Sequence, residues 1–303
     1  MFVLNPDPYL LPCYRISPFQ TKDMHHNNAL AQSDLIDEYF GDRFQQRQYS
    51  YVADGRKAIN IALQQYQLQK NDVVTIFTSS GNFYISSCVT KEIEKFCLWS
   101  RQIEPATKLL FVNHEFGYPY KKINELKKYN LPIIEDCCHS FFSTDKENTI
   151  GNTGDFAIYS FPKMFPIQVG GLLVAKNKFS NNNDENIDPA KLRYVKNVLS
   201  HYILQKNAII AKRIENYIYL ENRLNKTYFD QRFKLSTGVV PGVFMFRVKS
   251  KSIHLPELKN HLYAHGIQCS VFYGEHSFFI PVHQNLVKPD LDYFIKVISS
   301  YPK

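Results

Sequence analysis

The chain has 303 residues, 44% hydrophobic and 21% charged, with a formal charge of +8. That length holds one large core, or a large domain with a smaller partner, and the composition is that of a globular protein rather than a disordered or fibrous one. The basic balance suits an anionic ligand such as a phosphate or nucleotide. A lysine-rich surface of no special purpose accounts for it more simply, and no basic block interleaved with aromatics marks a nucleic-acid surface.

No apolar run reaches the length of a membrane span. The first residues, MFVLNPDPYLLPCYRISP, lack a basic leader and are broken by prolines, which makes a poor signal peptide. The six cysteines form no C-x-x-C pair, so neither a zinc ribbon nor a thioredoxin-like motif is indicated. Cys88, Cys137 and Cys269 lie in apolar runs and are expected to be buried thiols. This usage suits a reducing compartment and predicts a cytoplasmic protein.

In chain order, residues 1–50 read as an irregular arm with one short helix near LIDEYF. RKAINIALQQYQ then places Ala58, Ile61, Ala62 and Tyr66 on one helical face. VVTIFT, KLLFVNH and PIIED read as strands, with helices expected over YISSCVTKEIEKF and KKINELKKY. This alternation predicts βαβ units and a parallel sheet. DFAIYSF and GLLVAKN follow as two further strands. The polar SNNNDENIDPAK reads as a linker. Beyond it, helical spacing runs over 190–229, followed by GVFMFRV (strand), LPELKNHLYAHG (helix), IQCSVFY (strand) and a helix near LDYFIKVIS. The expected organisation is an arm over 1–50, a large α/β domain over 51–185 and a smaller α+β domain over 186–303.

Five features carry chemistry. Asp54 and Gly55 precede a helix whose first turn holds Arg56 and Lys57. Cations there oppose the helix dipole unless an anion sits nearby, and a glycine-led helix start is suited to bind one. An exposed cap with two solvated side chains is the alternative. Asp136 closes an apolar run, where ligands of parallel sheets bind, although a helix-capping aspartate is the commoner case. His139, three residues on, is by itself more often a packed histidine than a functional one. Lys163 lies among apolar and aromatic neighbours in SFPKMFPIQVGG, held from helical geometry by Pro162 and Pro166. A surface loop lysine is the alternative there. Ser160 has a hydroxyl able to meet a phosphate. A lysine at one strand end and a carboxylate at another are what pyridoxal 5′-phosphate (PLP) requires. The lysine holds the cofactor as a Schiff base, and the carboxylate keeps the ring nitrogen protonated. No G-x-G-x-x-G, P-loop or G-x-S-x-G motif occurs. His261 and His265 lack the glutamate of a zincin and read as surface residues, so no metal site is expected.

In this order the motifs resemble the DegT/DnrJ/StrS family of sugar aminotransferases, from about Leu35 to the C-terminus. DGRKAINIAL is similar to the family's phosphate helix, FVNHEFGYPYKKINELKKYNLPIIEDCCHSF to its histidine-glycine turn and acidic strand end, and GNTGDFAIYSF…K…GG to its lysine segment. The resemblance implies an aspartate-aminotransferase-like α/β fold: a large domain with a mostly parallel sheet of the seven-stranded type, plus a small α+β domain. It implies Lys163 as the cofactor-bearing lysine and proton carrier, and Asp136 at the pyridinium nitrogen. It also implies His139 against the ring, and Gly55, Arg56 and Ser160 at the phosphate. Phe83 matches the ring-stacking aromatic, or else is a core residue. A homodimer with sites at the interface is implied, using an amino-acid donor, glutamate, and a keto sugar linked to a nucleotide. The chain departs from the family in the short gap from Ser160 to Lys163, in its length after Gly171, and in the loop before Phe83. Two alternatives stand beside the aminotransferase. One is a dehydratase, against which Lys163 argues because a histidine typically replaces it there. The other is a non-enzymatic protein that keeps the fold.

Overall fold

The computed structural model describes residues 13–45, 47–179 and 186–301. Seven strands form the main sheet in the order β1 (Gln48–Val52), β7 (Gly171–Ala175), β6 (Phe156–Ser160), β5 (Ile133–Asp136), β4 (Thr107–Asn113), β2 (Val73–Thr78), β3 (Leu98–Ser100). β7 runs antiparallel to both of its neighbours, while the pairings from β6 across to β3 are parallel. β4, β5 and β6 are therefore covered on both faces, which is why they read as continuous apolar runs rather than alternating ones.

The period of two along each strand sorts side chains between the faces. Ile134, Phe156 and Ile158 join one core with α3 (Gly55–Gln64) and α4 (Ser87–Ile93). Ala157 and Tyr159 join the opposite core, with Ile36 and Phe40 of α2 (Leu35–Phe44) and Val195, Val198 and Leu199 of α5 (Pro189–Ile203). α3 shows what holds such elements. Ten residues make a marginal helix in isolation, but Ile59, Ile61 and Leu63 are buried, each contributing about 1.5–3 kcal/mol.

A second sheet, β10 (Ser270–Phe272), β11 (Ser277–Ile280), β9 (Phe244–Val248), β8 (Phe229–Gln231), is antiparallel throughout. With α7 (Leu255–Ala264) and α8 (Lys288–Ser300) it encloses its own core. α6 (Lys206–Arg223) serves both cores, with Ile209 in the first and Tyr217 and Leu220 in the second. α5, grouped by sequence with the C-terminal unit, instead packs on the main sheet against α2. The sequence's linker begins at residues 180–185, which lie outside the described residues.

Several local expectations are revised. The helix expected over KKINELKKY takes the 3-10 form, over Ile123–Tyr129. Its buried side chains, Ile123 and Leu126, are three apart, the spacing of a three-residue turn. The arm contains a second helix, α1 (Thr21–Asn28), which has no apolar stripe and buries only Asp23 and Asn27. Cys88 is exposed on the outer side of α4, whereas Cys97, Cys137 and Cys269 are buried. His261 and His265 are half-buried: His261 Nε2 meets the Val297 carbonyl at 3.1 Å, and His265 Nδ1 meets the His261 carbonyl at 2.8 Å.

Candidate active site

The carboxyl ends of β1, β2, β4, β5 and β6 share one edge of the main sheet. Register places Asp136 beside Asn113 on one side and Ile158 on the other. Two consecutive buried carboxylates close β5, and their surroundings differ sharply. Glu135 is saturated. It accepts from Gly151 N at 2.8 Å, Thr153 N at 2.8 Å and Gly154 N at 2.6 Å, and it meets His114 Nε2 at 2.9 Å. His114 in turn accepts from Tyr120 N at Nδ1, so it is the donor toward Glu135. Cys137 lies near enough to make a donor cluster with this pair, but these hydrogen bonds already account for it as an internal brace. Asp136 is only 7% exposed, yet it receives one backbone N–H, from Cys138 at 3.0 Å, and the Cys138 thiol. Among the described residues no lysine, arginine or histidine lies at ion-pair distance from it. A buried carboxylate is costly without a cation or several donors, and the described residues bring Asp136 no cation.

Asp136 shares its strand face with Ile134, toward α3, and Ser160 shares its face with Ile158, toward the same helix. At the start of α3, Asp54 caps the helix by accepting from Lys57 N at 2.9 Å. Arg56 lies 3.7 Å from the same carboxylate, with both side chains largely solvated. The anion that Arg56 and Lys57 call for is thus partly Asp54 itself, through a pair that contributes little to stability at such exposure. The N–H groups of Gly55 and Arg56 remain unspent among the described residues, as the first N–H groups of a helix are. A Cβ on Gly55 would stand 3.2 Å from Cys138 Sγ, 3.5 Å from Ser160 Cβ and 3.9 Å from Ser160 Oγ, so a side chain would intrude on this cup. Gly171 lies behind it, where a Cβ would come within 2.6 Å of the Tyr159 carbonyl and 3.2 Å of Asp54.

Lys163 ends a 3-10 turn, Phe161–Lys163, that follows β6 directly. Phe161, Met164 and Phe165 are fully buried around it, while Lys163 is half-buried. Its charge reaches Cys138 and His139. Burial, with Lys163 and Arg213 nearby, holds His139 well below the usual imidazole range, so it is neutral. Its Nδ1 is buried without a hydrogen-bond partner. Burial, with Asp136 close by, pushes the Cys138 thiol well above its usual range, so it stays a thiol and donor. Phe83 stands on the loop after β2 with 69% of its surface exposed, so it is not a core residue. Packing alone does not tie it to the other six.

The family model described as "Putative PLP-dependent aminotransferase" matches residues 36–232, most of the chain. The chain belongs to this family of PLP-dependent aminotransferases. Among curated proteins, a 94-residue segment is 35% identical to the UDP-4-amino-4,6-dideoxy-N-acetyl-beta-L-altrosamine transaminase of Campylobacter jejuni, covering 30% of this chain and 22% of that one. A 148-residue segment is 29% identical to the GDP-perosamine synthase of Escherichia coli O157:H7, covering 42% and 40%. The chain thus matches less than half the length of either relative. Among solved structures, the aminotransferase TlmJ of Streptoalloteichus hindustanus superposes with a TM-score of 0.75 at 14% identity, over 94% of this chain and 97% of that one. A DegT DnrJ EryC1 StrS aminotransferase from Brucella abortus gives 0.69 at 14%, over 92% and 93%. The fold expected from the sequence is the fold of these aminotransferases.

The residues present fit PLP: a buried carboxylate lacking a cation, a glycine-led helix start with two free N–H groups beside a serine hydroxyl, and a lysine on the adjoining turn. Two groups near these residues were not foreseen, Cys138 on Asp136 and Arg213 at the Lys163 carbonyl. Arg213 did leave a signal. It and Asn216 fall on the buried stripe of α6, with Ile209, Tyr217 and Leu220, where an apolar helix face should carry no charge.

Proposed function

We propose that the chain transfers an amino group from an amino acid, glutamate, to a keto sugar linked to a nucleotide, leaving 2-oxoglutarate and an amino sugar. The observation that carries this reading is the contrast at the end of β5, where Glu135 meets four donors while Asp136, also buried, meets one backbone N–H and a thiol and, among the described residues, no cation. The named activities of the Campylobacter jejuni and Escherichia coli relatives support the sugar class. When bound, PLP supplies an electrophilic carbon and a ring that stabilises negative charge next to a transferred amine. Asp136 would accept from the ring nitrogen and favour its protonated form. Gly55 and Arg56 offer backbone N–H groups to the phosphate, and Ser160 its hydroxyl. The Lys163 amine would hold the cofactor and would be the group available to move a proton at the substrate carbon. His139, held neutral, would contact the cofactor ring, and Phe83 would be the aromatic available to stack on it. The reading extends to a homodimer in the cytoplasm, where six free thiols stay reduced.

The test supplies purified protein and PLP with L-glutamate. Without a sugar acceptor, release of 2-oxoglutarate should stop at one equivalent per site. With a nucleotide-linked keto sugar it should become catalytic. No release in either condition contradicts the reading.

The phosphate cup has its own test. A ligand that binds only the folded state at about a hundred times its dissociation constant stabilises it by roughly 2.7 kcal/mol. PLP should raise the melting temperature of the wild type accordingly. Gly55→Val should lose most of that ligand-induced rise, because the branched side chain enters the space between Cys138 and Ser160. Equal rises in the two proteins place the phosphate elsewhere.

A further inference from the structure

The carbonyls around Lys163 are held by side chains from widely separated parts of the chain. Pro162 O accepts from Ser17 Oγ at 2.8 Å, Lys163 O from Arg213 Nη2 at 3.0 Å, Met164 O from Gln284 Nε2 at 3.0 Å and Pro166 O from Asn27 Nδ2 at 2.8 Å. Arg213 is the centre of this clamp. Its Nε donates to Gln284 Oε1 at 2.8 Å and its Nη1 to Pro241 O at 3.1 Å. One guanidinium thus joins α6, the lysine turn, residue 241 and the 284 segment. Asn216, on the same helix face, donates to His283 O at 3.0 Å and fixes that segment further.

Ser17 and Asn27 serve the neighbouring carbonyls as neutral donors. Arg213 does so as a fully buried cation among neutral oxygens, with no carboxylate at ion-pair distance among the described residues. Such a cation is a costly way to satisfy a carbonyl if packing were its whole purpose. What a guanidinium adds is a rigid planar fork whose donors aim in fixed directions. It is spent on the peptide of the one lysine that the site requires.

We infer that Arg213, braced by Gln284, is a positioning residue for Lys163: it fixes the lysine's main chain so that the amine is presented to the cofactor's reactive carbon. It touches neither cofactor nor substrate. The inference rests on the cofactor reading above. It implies that damage to the clamp spoils the covalent attachment of PLP at Lys163 more than the binding of its ring and phosphate.

The experiment compares two ligands on the full chain. PLP is captured covalently, followed by absorbance and by borohydride reduction with mass mapping of the modified lysine. 4′-Deoxypyridoxine 5′-phosphate keeps the ring and phosphate but has no aldehyde, and its affinity is measured by calorimetry. Arg213→Met should slow capture at Lys163 by roughly tenfold or more, since small misplacements of a reacting group have costs of that size. Affinity for the analogue should stay within a few-fold of the wild type. Arg213→Lys keeps charge without the fork and should recover little of the rate. Gln284→Leu should slow capture in the same direction by a smaller factor, and it decides the matter if Arg213→Met does not fold. Capture at the wild-type rate in the folded variants overturns the inference. So does an equal loss of capture and analogue affinity, which is what a merely structural arginine gives. A wild type that captures no PLP at Lys163, by contrast, overturns the cofactor reading itself.

Discussion

Lys163→Ala should reduce the rate of amino transfer from glutamate by on the order of 10²–10⁴-fold through loss of a positioned proton carrier alone, and further through loss of covalent attachment. The core beneath it should be intact, because Phe161, Met164 and Phe165 fill that space and the lysine side chain is only half-buried. Circular dichroism and the melting temperature should therefore stay close to wild type, and PLP should still be retained through its phosphate. A small primary amine added to the variant should restore part of the rate, since it can stand where the lysine nitrogen stood. Single-turnover absorbance kinetics check this. A rate within a few-fold of wild type would assign the chemistry to another residue.

Asp136→Asn should slow the same half-reaction by about a hundred-fold or more, the effect of losing roughly 2.7 kcal/mol of transition-state stabilisation. The amide keeps the shape and can still accept from Cys138 N, but it loses the negative charge that favours a protonated ring nitrogen. Glu135→Gln is the matched control. Glu135 is one residue away, equally buried, and occupied by three backbone N–H groups and His114. Its replacement should lower stability by about 1–3 kcal/mol and leave the half-reaction nearly unchanged. If the two variants reverse these roles, Asp136 is a structural cap and the site has been misread.

The edge of the sheet that gathers the candidate residues was legible in the sequence for a physical reason. Strands buried on both faces read as apolar runs, so the polar residues that end them stand out, as Glu135, Asp136 and Ser160 do. Lys163 was visible because a cation among Phe, Met and Pro contradicts its neighbours. α1 was not legible because its buried residues are polar and impose no period. The helix expected over KKINELKKY is present, and its 3-10 form at Ile123–Tyr129 shows only once burial reveals the three-residue spacing. Cys88 was misplaced because the identity of neighbouring residues does not tell which side of a short helix faces the core. The Arg213 clamp joins positions 50 and 71 residues apart, and no local pattern contains it. Only the anomaly of an arginine on the apolar stripe of α6 pointed that way.

The central claim is that Lys163 and no other lysine carries PLP, beside Asp136 and the Gly55 turn. The most direct measurement is borohydride reduction of the PLP-loaded protein, followed by proteolysis and mass mapping. The account predicts one pyridoxyl group per chain, on the peptide containing Lys163, with the visible absorbance of the bound cofactor abolished. A modification spread over surface lysines, one confined to a different lysine, or none after incubation with excess PLP would contradict it.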